Sequence, residues 1–218
     1  MTLIAPDVLA ARKRAAGSPR RATLADAPKV SRTLARAFAT DPVVDYFVRA
    51  DARRPQAMSQ WFDFAVKRLG LPGGETWMAD AADVSAAALW LPPPQDAMNM
   101  SFVQEVQALP VFLSVVGLSR IARMQRLRAA FDAHHPKDPH WYLFFLAVDP
   151  DCQGMGLGSA ILAANLKPID AARACAYLEA STERNVTLYQ RHGFEVVSEF
   201  KPEPTGPSLW GMWRKPQV

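Results

Sequence analysis

Leu146-Ala147-Val148-Asp149-Pro150-Asp151-Cys152-Gln153-Gly154-Met155-Gly156-Leu157-Gly158-Ser159 is the stretch on which the reading of this chain turns. An apolar run, Trp141 to Val148, leads into it and reads as a strand. Because the run is apolar on both faces, it predicts a central strand buried on both sides. Asp149-Pro150-Asp151 then turns the chain, since proline fixes φ and ends ladder pairing. Three glycines alternate with other residues before a helical pattern opens at Ser159-Ala160-Ile161-Leu162. Strand, glycine-rich turn and helix N-terminus together make an anion site: the backbone can come close, and exposed N–H groups and the helix dipole face the ligand. The G-x-G-x-G spacing fits neither the dinucleotide fingerprint nor the P-loop. It fits Gln-x-x-Gly-x-Gly, carried by Gln153, Gly156 and Gly158.

Downstream, Leu157, Ile161, Leu162 and Leu166 form the inward stripe of a helix, and Pro168 predicts a kink or restart in it. Cys175 to Ala180 is the next strand. Period two sets Cys175, Tyr177 and Glu179 on one face and Ala176, Leu178 and Ala180 on the other. Ser181 or Thr182 caps a helix over Glu183 to His192, which ends at Gly193 with Phe194 as its apolar contact. Asn185 and Tyr189, four apart, share one face of it. Strands over Phe194 to Phe200 and Leu209 to Arg214 complete the pattern.

Upstream, residues 1–19 read as a flexible basic arm, with Arg12, Lys13 and Arg14 in it. Arg20 to Leu24 can form a first strand. Asp26 and Pro28 open a helix with Val30, Leu34, Ala37 and Phe38 on one stripe. Val43 to Val48 reads as a short helix or turn, and Arg54 to Leu69 as a helix with Met58, Trp61, Phe62, Ala65 and Leu69 on one stripe. Thr76 to Ala79 and Val84 to Leu91 read as a hairpin. Residues 95–139 form a helical insertion before the strand at Trp141. Its later helix carries Ile121, Met124, Leu127 and Phe131 on one face, with Arg120, Arg123, Arg126 and Arg128 on a solvated surface.

The chain has 218 residues, half of them hydrophobic, with a net charge of +4. Length and composition suit one domain, 20–218, with a full core. The basic excess is consistent with an anionic cofactor and is only a weak sign of nucleic acid. Cys152 and Cys175 form no disulfide framework or spaced ligand set, so a reducing cytoplasm is expected. No signal-peptide pattern opens the chain, and the longest apolar stretch, Leu109 to Leu118, is too short to span a membrane. His134, His135 and His140 lack regular ligand spacing and read as surface histidines, so no metal is expected. The element order argues α/β (α+β), with a mixed, mostly antiparallel sheet and one parallel crossover at the glycine loop.

The glycine loop after Val148 resembles the acetyl-CoA pyrophosphate loop of the GCN5-related N-acetyltransferases (GNAT). The segment Tyr177 to Phe194, with Leu-Glu-x-Ser, then Asn185, Tyr189 and Gly193-Phe194, resembles the second signature block of that superfamily. Pro136 to Leu143 and Trp210 to Pro216 look more narrowly like puromycin N-acetyltransferase-like actinobacterial members.

The resemblance implies a GNAT fold with its sheet splayed between strands 4 and 5 and flanked by helices. It implies acetyl-CoA as co-substrate and direct attack of a primary amine on the thioester. It places the pantetheine arm against the main chain of Leu146, Ala147 and Val148, and the pyrophosphate on Gln153, Gly154, Met155, Gly156, Leu157, Gly158 and Ser159. Met155 departs from the Arg or Lys often found there. Asn185 would bind the pantetheine arm, Tyr189 would protonate the leaving sulfur, and Glu179 is the candidate base. The acceptor is expected to be a small hydrophobic amine, with Phe38, Tyr46, Phe47, Trp61, Trp141 and Tyr142 as candidate walls. A protein lysine or N-terminal acetyltransferase and a catalytically silent acyl-CoA-binding module stay open as alternatives. The sequence sets no oligomeric state, and neither nucleic acid nor membrane is expected as a partner.

Overall fold

Alternation along the strands divides the core into two layers, one on each face of a seven-stranded sheet. In β3 (Asp83–Leu91), Ala87, Leu89 and Leu91 join the cluster on one face, while Ala86, Ala88 and Trp90 join the cluster on the other. The computed structural model describes residues 4–81, 83–94 and 102–217. The remaining strands are β1 (Arg20–Arg21), β2 (Glu75–Ala81), β4 (Trp141–Val148), β5 (Ala176–Ala180), β6 (Glu195–Phe200) and β7 (Leu209–Arg214), in spatial order β1-β2-β3-β4-β5-β7-β6. All neighbouring pairs are antiparallel except β4–β5. The α/β class, the mixed sheet and its single parallel pair follow the sequence reading. The first strand is shorter than expected, because only two residues pair with β2.

One face carries α2 (Ala27–Ala37), α3 (Pro42–Phe47), α4 (Arg54–Phe64), α5 (Phe102–Val116) and α6 (Ile121–His134). The other face carries α1 (Pro6–Gly17), α7 (Leu157–Ala171) and α8 (Glu183–Gln190). The α4 stripe is buried as its period demands, but Ala65–Gly70 continues as a π-helical turn rather than α-helix. A Cβ on Gly70 would lie 2.5 Å from Leu89 Cδ1, so this turn runs hard against the sheet.

Four expectations are corrected. The basic N-terminal arm is not free: Pro6–Gly17 is a helix packed on α7 and β2, with Ala16 fully buried and Arg12 Nη1 2.7 Å from Cys152 Sγ. Small alanines let it lie close to its neighbours. Pro168 does not make the helix restart, since α7 stays helical from Leu157 to Ala171. The arginines read as solvated, Arg120 just before α6 and Arg126 within it, are not merely solvated. Arg120 donates to the Asp45 and Val48 carbonyls around the end of α3, and Arg126 pairs with Glu203 at 3.1 Å. Cations at a helix C-terminus answer its unpaired carbonyls. Finally, β4 is not buried on both faces along its length: Phe144, Phe145, Leu146 and Val148 are half-buried.

The burial pattern of β4 follows from its pairing. Trp141 pairs with Ala176 and Tyr142 with Tyr177, and there the parallel ladder stops. From Leu143 onward the two strands part and open a gap in the sheet. On its other edge β4 stays paired with β3 to Val148, with a register shift that leaves Phe144 as an extra residue between Leu143 and Phe145. Such a bulge bends the strand and adds twist, which suits a strand leaving its neighbour. Of the 95–139 insertion, residues 95–101 lie outside the described residues, and the rest forms α5 and α6 joined at Gly117. Among the described residues no helix is long and apolar enough to cross a membrane.

Candidate active site

The glycine loop hangs from the end of β4. Asp149 caps the short turn Pro150–Cys152 through Asp151 N–H, and Gln153 Nε2 donates to the Val148 carbonyl at 3.2 Å. Gly154 and Gly156 take φ of +77° and +84°, where L side chains are strained, and a Cβ at either would point into open space. Gly156 thereby starts α7 two residues earlier than the sequence pattern indicated. Gly158 is tightly packed for another reason: a Cβ there would stand 3.2 Å from Val148 Cγ2, so that side chain would have to give.

Among the described hydrogen bonds, none uses the backbone N–H of any residue from Gly154 to Ser159. Six consecutive donors without an internal acceptor, at a helix N-terminus, form a cradle for a polyanion. The open space at Gly154 and Gly156 and these donors fit a pyrophosphate. Ser159 sits at the far end of the loop, its Oγ 2.7 Å from His192 Nε2. Met155 supplies no charge, so the loop's own donors are its main-chain N–H groups and the Ser159 hydroxyl.

Beside the loop, the β4–β5 gap opens into a cleft of about 640 Å³. Leu146 of β4, Glu179 of β5, and Asn185 and Tyr189 of α8 all line it. Thr182 Oγ1 accepts from Asn185 N–H at 3.3 Å and starts α8, which sets Asn185 and Tyr189 one turn apart on the cleft side. Burial, and then the nearby Asp41 carboxylate, push the Tyr189 phenol well above its ordinary pKa, so it stays protonated and able to donate. Asp41 caps α3 through Val43 and Val44 N–H and accepts from Ser181 Oγ at 2.5 Å. Burial pushes its own carboxyl up.

Glu179 shares the sheet face of Tyr177, as period two predicts, and its side chain is only 4% exposed. Tyr142 Oη donates to its Oε2 at 2.7 Å, and His135 Nδ1 lies 3.5 Å from its Oε1. His135 Nε2 is 3.2 Å from His140 Nε2, and His140 Nδ1 is 2.6 Å from the Asp138 carbonyl. The expectation that these are surface histidines is therefore wrong for two of the three. His140 is 1% exposed, and His135 packs edge-on to Tyr142 and Tyr177. Burial lowers the His140 pKa. Among the described residues, no group of three or more His, Cys, Asp or Glu side chains could hold a metal.

The opposite wall is aromatic. Phe38, Phe47, Trp61 and Tyr142 line it as expected from the sequence. Tyr46 and Trp141 do not: Tyr46 Oη is tied to Glu203 at 2.7 Å, and Trp141 packs on the α7 side of the sheet. Sequence reasoning missed Phe64, Phe112, Phe131, Phe144 and Phe145, which complete the wall, as well as His135 and Asp41. No local motif marks them. The nearest signal is the unbroken pair Phe144-Phe145 inside a strand that leaves its partner.

Comparison with known proteins agrees with this geometry. Residues 115–196 match the model of the acetyltransferase (GNAT) domain. A mycothiol acetyltransferase of Propionibacterium freudenreichii is 38% identical over 63 residues, which are 28% of this chain and 20% of that protein. This chain thus spans about a fifth of that relative's length. A Corynebacterium glutamicum structure, described as histone acetyltransferase HPA2 and related acetyltransferase, superposes with a TM-score of 0.71 at 26% identity, covering 92% of this chain and 96% of that one. The ribosomal-protein-S18-alanine N-acetyltransferase of Escherichia coli shares the fold at a TM-score of 0.53 and 16% identity, over 92% and 94% of the two chains. Agmatine N-acetyltransferase does so at 0.59 and 16%, over 90% and 98%. The chain has the GNAT fold, and over residues 115–196 it is similar to the acetyltransferase (GNAT) domain.

Proposed function

We propose that this chain is an acetyl-CoA-dependent N-acetyltransferase acting on a primary amine carried by a compact hydrophobic molecule. The observation that carries the reading is the run of six unpartnered N–H groups, 154–159, beside a strand edge left open and a cleft holding Tyr189 and Glu179. In this reading Gln153 to Ser159 hold the pyrophosphate by main chain. The free edge of Leu146, Ala147 and Val148 pairs with the pantetheine arm, helped by Asn185. A backbone N–H on that edge polarises the thioester carbonyl.

The reaction needs two proton movements. Glu179, a cleft-lining carboxylate whose side chain is only 4% exposed, takes a proton from the acceptor ammonium through a water. The freed amine lone pair attacks the carbonyl carbon. As the C–S bond breaks, its electron pair goes to sulfur, and Tyr189 gives that sulfur a proton. The second proton of the amine nitrogen restores Tyr189, so the sum is amide, thiol and one proton released.

The aromatic wall supports a hydrophobic acceptor, and Asp41 and Glu179 suit a cationic head on it. Puromycin-type aminoacyl aromatic amines are one member of that class. The two free thiols, Cys152 and Cys175, go with a cytoplasmic setting. The test is thiol release from acetyl-CoA across a panel of amines and peptides, with mass spectrometry of the products. One acetyl group gained on hydrophobic amines is the expected result. Acetylation of peptides alone would replace this reading with a protein acetyltransferase, and acetyl-CoA binding with no turnover would leave a binding module.

A further inference from the structure

We infer that His135 and Glu179 form a proton-holding pair, and that His135 is a positioning residue through which the buried carboxylate exchanges its proton with solvent. The inference rests on the acetyltransferase reading above for its catalytic consequence, but its structural part does not.

A chain of hydrogen-bond roles fixes the protonation pattern. The Asp138 carbonyl can only accept, so His140 Nδ1, 2.6 Å away, carries its proton. Burial lowers the His140 pKa and so favours the neutral ring, which has a lone pair on its Nε2. His135 Nε2, 3.2 Å from that lone pair, must therefore be the donor of that contact. The remaining nitrogen of His135, Nδ1, then has a lone pair whenever the ring is neutral. It faces Glu179 Oε1 across 3.5 Å.

Two acceptors opposed in this way are the arrangement that binds a proton. Glu179 Oε1 is sealed from solvent and has no hydrogen-bond partner among the described residues, while Oε2 is already satisfied by Tyr142. One proton placed between Nδ1 and Oε1 satisfies both atoms. When Glu179 accepts a proton from the amine, His135 Nδ1 shares it, and the charge is spread over an imidazolium–carboxylate pair. Exposure differs along the pair: 4% for the Glu179 side chain and 27% for His135. Solvent thus reaches the imidazole far more readily than the carboxylate, and the proton leaves by that route.

The charged and titratable groups around the pair come from several elements. Glu179 and Tyr177 lie on β5 and Tyr142 on β4. Asp138 and His140 precede β4, and Lys137, Arg128 and Asp132 line the same cleft.

Two experiments test the pair. In the first, ¹⁵N-histidine spectra of the unliganded chain report each ring's tautomer. The expected result is His140 protonated at Nδ1, neutral His135 protonated at Nε2, and a shifted His135 Nδ1 signal in Glu179→Gln. A neutral His135 protonated at Nδ1 would overturn the inference. In the second, His135→Gln is assayed with acetyl-CoA and an amine that the wild type acetylates. The kcat is expected to fall about 10- to 100-fold, with the KM for acetyl-CoA little changed. The shape of the kcat–pH curve should change, and added imidazole should restore turnover to His135→Ala. Wild-type kcat in His135→Gln would sink the inference, as would an equal loss at every pH with no imidazole rescue. If no amine is ever acetylated, the functional reading fails, while the tautomers still decide the pair.

Discussion

The two sides of the β4–β5 gap are made of different materials. On the loop side, the groups offered to a ligand are backbone N–H donors from one unbroken segment, 154–159. On the aromatic side they are side chains drawn from α3, α4, α5, α6 and β4, with Phe38 just beyond the end of α2. Main chain cannot be changed by substitution except where conformation fails. Side chains can be exchanged one at a time. The loop should therefore break only at its glycines, whereas the aromatic wall should yield gradually, altering which amine fits before it alters anything else.

Gly156→Glu tests the loop side and has the largest expected effect. It puts a side chain at φ +84° and a negative charge at the cradle. Calorimetry should show CoA binding lost in a protein whose circular dichroism is unchanged. Retained binding would move the cofactor site elsewhere.

Tyr189→Phe comes next, at the boundary of the two sides. A general acid contributes about 10²- to 10⁴-fold, and water can replace part of that, so kcat should fall about 10- to 1,000-fold. The CoA dissociation constant should hold, because a general acid contributes in the transition state and not to ground-state binding. Full activity at saturating substrates would assign the proton to another group.

Phe144→Ala tests the other side. Phe144 is half-buried at the bulge, so its loss opens the wall without emptying the core. The acceptor KM should rise about tenfold, in keeping with roughly 1–2 kcal/mol of apolar contact, while the KM for acetyl-CoA stays put. A change in the acetyl-CoA KM of similar size would erase the distinction between the sides.

The smallest effect concerns the far end of α7, away from the loop. Arg214, 3% exposed, grips Asp170 of α7 through two nitrogens at 2.6 and 2.8 Å and donates to the His192 carbonyl. The guanidinium lowers the Asp170 pKa below its ordinary 3.8. A depressed carboxylate stabilises the fold above its unfolded pKa and loses that contribution as pH falls through the folded value. Asp170→Asn should cost about 1–2 kcal/mol at pH 7 in denaturant unfolding. The difference from wild type should shrink below about pH 3.8. A constant difference would show that the pair contributes packing alone.

The same contrast explains what the sequence disclosed. The loop, the Asn185–Tyr189 face and the face of Glu179 were legible because each lies in one short segment whose local geometry follows from period and capping. The splay was implied by resemblance to a family and not by any pattern of residues. The cleft wall was half legible. Phe38, Phe47, Trp61 and Tyr142 were named from composition, yet Tyr46 and Trp141 were named by the same reasoning and point elsewhere. Which aromatic faces the cleft depends on tertiary packing. His135 was misread for a related reason: it meets Glu179 only because α6 ends where β4 and β5 begin to part, 44 residues apart in sequence. The N-terminal helix was read as an arm because its composition is basic. Its burial comes from alanines too small to register as an apolar stripe.

The junction of just two rungs between β4 and β5 has a consequence for isotope exchange. Amides of β4 bonded to β3 are tied to a continuous ladder and open only with large-scale unfolding. Amides between Leu143 and Val148 that face the gap have no strand beside them, so solvent alone sets how fast they trade hydrogen for deuterium. One strand thus carries a slow edge and a fast edge. Anything that settles in the gap and hydrogen-bonds to it will be recorded as slowing on the fast edge alone, with the slow edge as its internal clock.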